Sequence, residues 1–522
     1  MQAEFSRFLI LTNLLLASMV PSLTCAASFD SIDTTAAYRF LNHSTFGANQ
    51  GGAAHLKSVG YDAWFSEQFA VTPSEYPDYL TERAIEWSQD YFFQNAMGQP
   101  DQLRQRTALA LHKIFVVSAV DVNSSDAIVG YLRLLHQNAF ENIYVVLAQI
   151  TLHPAMGEYL NMVDNDKADL VSGRSPNENY AREFLQLFTI GLVMLNRDGT
   201  PELDASGNSI PAYTEADVKS LARVFTGWTY AKAPTSNRRN GVASKPGHNP
   251  PYYKDLMAAV EANHDQGEKT FLGATAQAGQ SAYDDLQSVI GTVYWHPNIG
   301  PFLSKQLIQQ LVTSNPSAQY VERVVTAFED NGSGVRGDMK AVLYAILTDE
   351  EALHPPTASA GHLKEPALVV STLTRAIGAT IADHPFLTGE ADLMGQKIFF
   401  PASVFSYFSP SYRIPGLGMV GPEFQILTSE TSLRRVNYAA RLIYGYFGGE
   451  VKLDLKRFVD QAAAGDSASV VDLVNLELLG GTMPAGMMSS IRRAVDLQST
   501  PEDKAKAALY LTASSPFFQI IQ

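Results

Sequence analysis

The chain has 522 residues, a formal net charge of −15, and 46% hydrophobic against 17% charged residues. That balance leaves ample apolar side chain for a core and excludes wholesale disorder. An acidic surface disfavours unspecific attachment to nucleic acid or anionic membrane, so no nucleic-acid partner is expected.

The first elements are at the N-terminus. Phe8 to Val20 is an apolar run behind Arg7, interrupted by Asn13 and broken by Pro21 and Ser22. Thr24-Cys25-Ala26-Ala27 then offers small residues for cleavage. Residues 1–26 read as a signal peptide, which places the mature chain in the periplasm or outside the cell. The run is short for a bilayer span, and no later stretch is long and apolar enough, so no transmembrane segment is expected after cleavage. A lipid anchor fits less well, because Leu23 lies two rather than three residues before Cys25. Cys25 is the only cysteine, so the mature chain is expected to hold no disulfide and no thiolate site.

Asp33-Thr34-Thr35 can start a helix carrying Ala37, Phe40 and Leu41, ended by Phe46-Gly47. Trp64, Phe65 and Phe69 form a second amphipathic stripe. Leu103 to Val117 forms a third and places Arg104, Arg106, His112 and Lys113 among apolar residues. Tyr131 to Leu152 reads as a helix pair or one bent helix, closed by His153-Pro154. In Ser175 to Leu192, Ser175 can cap a helix, Pro176 suits its first position and Glu178 completes a capping box. Gly191 can end it, and Tyr180, Phe184, Leu187 and Phe188 share one face. Met194 to Pro211 holds two dense turn clusters around Asp198 and Asp204 and reads as a small hairpin or ordered loop. Thr214, with Asp217 three residues on, starts another helix that Gly227 closes.

Residues 231–270 are rich in Pro, Gly, Asn and Ser, a candidate lid or domain boundary. Helices return at Asn298–Thr313, after Asn315-Pro316, after Asp338 and at Pro366. Residues 395–427 read as a packed aromatic loop, and the chain is helical again from Thr428, with Gly480-Gly481 as a break. The expected fold is mainly α, a multi-helix globular domain over residues 28–520 with a small hairpin insertion and long loops.

Several stretches resemble one family in order: Arg39 to Gly47; Asn177-Glu178-Asn179-Tyr180-Ala181-Arg182-Glu183-Phe184; Leu187 to Leu192; Tyr213 to Val218 with Thr226-Gly227-Trp228; His264-Asp265 through Gly273; His296-Pro297; Gly395-Gln396 with Pro401. Together they resemble the bacterial DUF1800 family over roughly residues 34 to 520. The resemblance implies a fold and a set of suspect residues but no reaction. It also implies a partner, since members are commonly encoded beside DUF1501 proteins, which resemble sulfatases or phosphatases.

No HExxH, P-loop or GxSxG motif is present. Gly416-Leu417-Gly418-Met419-Val420-Gly421 matches GxGxxG, but no strand pattern precedes it and Pro422 follows, so it reads as a loop. The candidate catalytic residues are Glu178, Arg182, Glu183 and His264. Glu178 and Arg182 lie one turn apart, as an ion pair would, and a histidine from elsewhere could meet either carboxylate. Their structural reading is a buried Arg–carboxylate network. His264 and Asp265 open a turn and are the candidate ligands for a divalent metal, the one cofactor considered; their structural reading is the turn itself. His43 and His296 read as helix-boundary residues. Aromatics at 399–412 either stack on a sugar or polymer or pack beneath their loop. Two functions stand open: an exported binding or accessory protein acting with another exported protein, and a hydrolase-like, metal-assisted enzyme.

Overall fold

A computed structural model describes residues 32–234, 247–354, 360–381, 387–447 and 451–521. The signal-peptide segment and Cys25 lie outside the described residues. The fold is mainly α, with short two- and three-residue strands paired two by two, all antiparallel. No described helix is long and apolar enough to cross a membrane.

The chain divides into two compact units. Unit 1 takes in Gln137–Lys305 and Ser317–Ala345; unit 2 takes in Ser31–His136, Gln306–Pro316 and Ile346–Gln522. The described parts of the 231–270 stretch, 231–234 and 247–270, fall within unit 1, and 235–246 lie outside the described residues.

In unit 1 the capping box at Thr214 forms with Asp217, and the helix Glu215–Val224 follows. The Ser175 helix starts later than its caps suggest, at Asn179–Glu183, and passes into a π-helix over Phe184–Thr189. Ser175 stays exposed. The Ser175–Glu178 capping box does not form: Asn177 Oδ1 accepts the Asn179 N–H at 2.9 Å, and Asn165 Oδ1 in turn accepts the Asn177 N–H at 2.8 Å. The wider π turn ends at Gly191, whose φ of +73° and contact with the Phe302 ring suit only glycine. Of its predicted apolar face Tyr180, Phe184 and Phe188 are buried and Leu187 is half-buried; Tyr180 meets Phe225 edge-on at 4.9 Å and donates to Thr151 Oγ1 at 2.6 Å. Met194 to Pro211 is a ladder of isolated bridges. Asp198 caps Thr200 N–H at 2.9 Å, and Asp204 caps those of Ser206 and Asn208 at 2.8 and 2.9 Å, so both aspartates serve their own turns.

Unit 2 is helical from Thr34–Ser44, which Asp33 caps, to Pro501–Ala513, where Thr500 does the same. Gly480 closes Ser467–Leu479 in the left-handed region. Gly416 and Gly418 lie in a loop with positive φ, and no α-helix follows them directly. Phe399 and Phe408 of the aromatic loop are buried, whereas Phe405 is exposed. His362-Leu363 pairs with Ile520-Ile521, and Lys364 N–H donates to Gln519 O at 2.7 Å. Gly361 makes this pairing possible: its φ is +96°, and a Cβ there would sit 2.2 Å from the Ile521 carbonyl oxygen. Gly361→Ala is expected to destabilise the protein by about 2–4 kcal/mol through left-handed strain and the lost pairing. Urea unfolding measures it; an unshifted midpoint would mean the pairing tolerates a side chain.

Candidate functional site

Arg182 is the hub of the polar side of Asn179–Glu183. Its Nη2 lies 3.0 Å from Glu178 Oε2 and 2.9 Å from Glu215 Oε1, and Nη1 donates to the other Glu215 oxygen at 3.0 Å. The bidentate bond to Glu215 holds the guanidinium pKa up and the Glu215 carboxyl below its usual range. Glu183 stands apart from this fork. Burial raises its carboxyl, Arg182 offsets part of that, and Oε2 is buried without a protein partner.

His264 is not part of this cluster: no hydrogen bond or ion pair among the described residues joins it to Glu178, Arg182 or Glu183. The turn after Gly227 buries it completely. Its Nδ1 lies 2.9 Å from the Thr226 carbonyl and its Nε2 3.0 Å from Asp285 Oδ2. Lys269 Nζ reaches the same Asp285 oxygen at 2.6 Å, in equally complete burial. Both ring nitrogens are thus engaged. The packing is tight enough that a Cβ on Gly227, at φ +83°, would approach the His264 backbone to 2.8 Å. Asp265 turns the other way. Burial pushes its carboxyl up, but the bidentate Arg223 guanidinium at 2.8 and 3.0 Å and the Gly267 N–H outweigh this and hold it low. Among the described residues, no three His, Cys, Asp or Glu side chains gather as metal ligands. His264 and Asp265 therefore serve two separate polar nodes that tie the 264–271 turn to the helices Glu215–Val224 and Ala282–Tyr294.

Unit 1 also carries an open cleft that sequence reasoning did not single out. Its volume is about 630 Å³, and Leu272, Gln287, Ser288, Gly291, Thr292, Trp295, His296 and Pro297 line it. The helix Ala282–Tyr294, started by the Ser281–Asp284 capping box, presents Gln287, Ser288 and Gly291 along one side. Trp295 follows the helix and is 71% exposed. It is nonetheless braced, edge-on to Tyr294 at 5.4 Å and beneath the Arg336 guanidinium at 5.6 Å. His296 Nδ1 accepts the Asn298 N–H at 3.1 Å, which leaves the proton of the neutral ring on Nε2. Partial burial lowers its pKa, so the neutral form prevails at pH 7. Among the described residues no hydrogen bond engages the Gln287 amide, which faces the cleft. No carboxylate, lysine or arginine is among the lining residues.

A cluster of fully buried charge lies in unit 2. Arg106 and Lys113, from the fully buried helix Gln102–Ile114, face Glu365 at the start of Pro366–Ala376. Lys113 Nζ is 2.7 Å and Arg106 Nη1 3.9 Å from Glu365 Oε1, while Gln396 Nε2 donates to Oε2 at 2.5 Å. Burial pushes the Glu365 carboxyl up, and Lys113, Arg106 and Gln396 together bring it below its ordinary value. Beyond it, His362 Nδ1 lies 3.4 Å from Glu423 Oε1. Arg435 Nη1 donates to the Lys364 carbonyl at 2.8 Å and to Gln519 Oε1 at 3.1 Å. Burial lowers the Lys364 ammonium to about 7, with Arg435 adding to the effect; its Nζ donates to the Phe518 carbonyl. The available signal was a helix holding Arg104, Arg106, His112 and Lys113 with no acidic residue inside it.

The class these observations define is a mainly helical protein with a buried ionic centre and a neutral surface cleft. The chain belongs to the family described as a protein of unknown function (DUF1800), whose model matches residues 39–520. No curated protein and no solved structure matches it.

Proposed function

We propose that this is an exported binding protein that works beside a second exported protein, and that the cleft of unit 1 holds its ligand. The exposed, braced indole of Trp295 carries the reading. A large aromatic face left open to water, yet fixed in orientation, is suited to an apolar ring face. Apart from the Arg336 guanidinium that braces it, the polar groups lining the cleft beside it are neutral: the Gln287 amide, the Ser288 and Thr292 hydroxyls and the His296 Nε2–H. That combination suits an uncharged polyhydroxyl ligand of the sugar class, with aliphatic C–H on the indole and hydroxyls on the polar rim.

The cleft contains a serine and a histidine but no assembled nucleophile. Ser288 Oγ gives its proton to the Asp284 carbonyl at 2.8 Å, and no hydrogen bond links it to His296. The hydrolase reading built on Glu178, Arg182, Glu183 and His264 is less favoured, since His264 is fully buried at a node of its own. Export rests on the apolar run and the small residues of 1–26, and the second protein on the company this family keeps.

The test is isothermal titration calorimetry of the mature protein with neutral oligosaccharides, beside the Trp295→Ala variant. Wild type is expected to bind, and the variant to bind about tenfold or more weakly, near 1.4 kcal/mol per tenfold. Equal binding by both forms, or none by wild type, would sink the reading.

A further inference from the structure

We propose that unit 2 holds a small oxyanion, of the phosphate, sulfate or carboxylate class, between the guanidinium groups of Arg106 and Arg435. The proposal is independent of the cleft.

The argument starts from charge. Arg106, Lys113, Lys364 and Arg435 are all buried, and the carboxylates among them are Glu365 and Glu423. Lys113 is matched by Glu365, and the same carboxylate stands farther from Arg106. Glu423 acts on both Arg106 and Arg435, but no ion pair joins it to either among the described residues. Positive charge thus exceeds negative in a region cut off from water. Lysine can shed its proton there, and Lys364 is poised to do so. Arginine cannot: burial lowers Arg435 only to about 10, so its charge persists at any physiological pH.

The second observation is geometric. Arg435 uses Nη1 on the protein, but Nε and Nη2 have no protein partner. Those two N–H groups form the side-on fork that matches two oxygens of a carboxylate, phosphate or sulfate. Arg106 uses Nη2 on the Gln310 carbonyl at 2.7 Å and likewise leaves Nε and Nη1 without hydrogen-bond partners. His362 Nε2 and both ring nitrogens of His43 are further buried polar atoms without a protein partner. His43 lies within the electrostatic reach of His362 and Arg106. Water could meet these donors, but it would leave the excess charge uncompensated, which is the costlier term. An oxyanion meets the donors and the charge together. The unpaired Oε2 of Glu423 opposes the anion and limits its charge and affinity.

The experiment uses the full mature chain purified in chloride buffer, then denatured, with released anions counted by ion chromatography. Wild type is expected to release about one equivalent of a single oxyanion, whose identity separates phosphate from sulfate and carboxylate. Protein refolded in chloride should then melt higher when that oxyanion is restored at matched ionic strength. Arg435→Lys keeps the charge but loses the fork and should release almost none. Glu423→Gln removes the opposing charge and should retain the anion several-fold more tightly. Opposite signs from two changes at one place are not what a merely structural role produces. If Arg435→Lys does not fold, the Glu423→Gln arm decides alone. No released oxyanion and no melting shift beyond that of chloride would overturn the proposal in favour of water. Equal release from folded wild type and Arg435→Lys would mark an adventitious ion only, and would overturn it too.

Discussion

Replacing Glu365 by alanine is expected to cost about 3–5 kcal/mol of stability, among the largest effects of any single substitution here. The carboxylate is the one ion-pair partner of Lys113 among the described residues, at 2.7 Å; it also lies 3.9 Å from Arg106 and accepts from Gln396 at 2.5 Å. Its removal strands a buried ammonium and leaves the Gln396 amide without its acceptor. Lys113 must then shed its proton or draw water into the core. Glu365→Gln should cost less, because it can still accept from Lys113. Urea unfolding of the two variants and of Lys113→Met, taken as a double-mutant cycle, should show coupling of about 1–3 kcal/mol between the pair. A loss below about 1 kcal/mol for Glu365→Ala would mean the centre is already wet.

The second large effect is expected in acid. Burial holds the imidazole of His43 down to about 3, with His362, Arg39 and Arg106 adding to it. Burial likewise holds His112 to about 4, beside Lys113, and His136 to about 4, where Asp101 partly opposes it and Arg104 assists. In the unfolded chain each takes up a proton near pH 6.5. Between that pH and about 4, the unfolded state therefore binds more protons than the folded one. Stability is fully present above pH 6.5 and is lost as pH falls through this window. Holding His112 and His136 to about 4 and His43 to about 3 corresponds to roughly 3–5 kcal/mol per histidine, so the three together rival the whole stability of an ordinary domain. Unit 2 should unfold near pH 4.5 to 5, before most carboxylates are protonated. His43→Asn and His112→Asn should each flatten the fall in urea midpoint between pH 6.5 and 4.5. An unchanged slope in both would show that these rings are not what acid attacks.

Much of the fold was legible because its helices are punctuated locally. Asp33, the Thr214–Asp217 box, Pro366 and Gly480 mark ends that the structure keeps. The Asn179–Glu183 start was misplaced because Asn177, itself held by Asn165 from twelve residues upstream, takes the role Ser175 could have filled. Sequence pattern records local caps and cannot record a side chain arriving from another turn. The candidate site shows the same limit more strongly. Glu178 and Arg182 are one turn apart and do pair. His264 was grouped with them by chemistry alone, and the fold carried it instead to Asp285, 21 residues further on. The ionic centre was half legible: the basic residues within the apolar 103–117 stretch stood out, but the acid that meets them did not, because Lys113 and Glu365 are 252 residues apart. Trp295 escaped notice because exposure, not identity, makes it unusual.

The division of the chain has a further consequence, for inheritance and for engineering. The polypeptide leaves one unit for the other at 136/137, 305/306, 316/317 and 345/346. No single cut releases either unit whole, and no single recombination point could append one of them to another gene. The two units must be transmitted, synthesised and discarded together, so neither can become a mobile module.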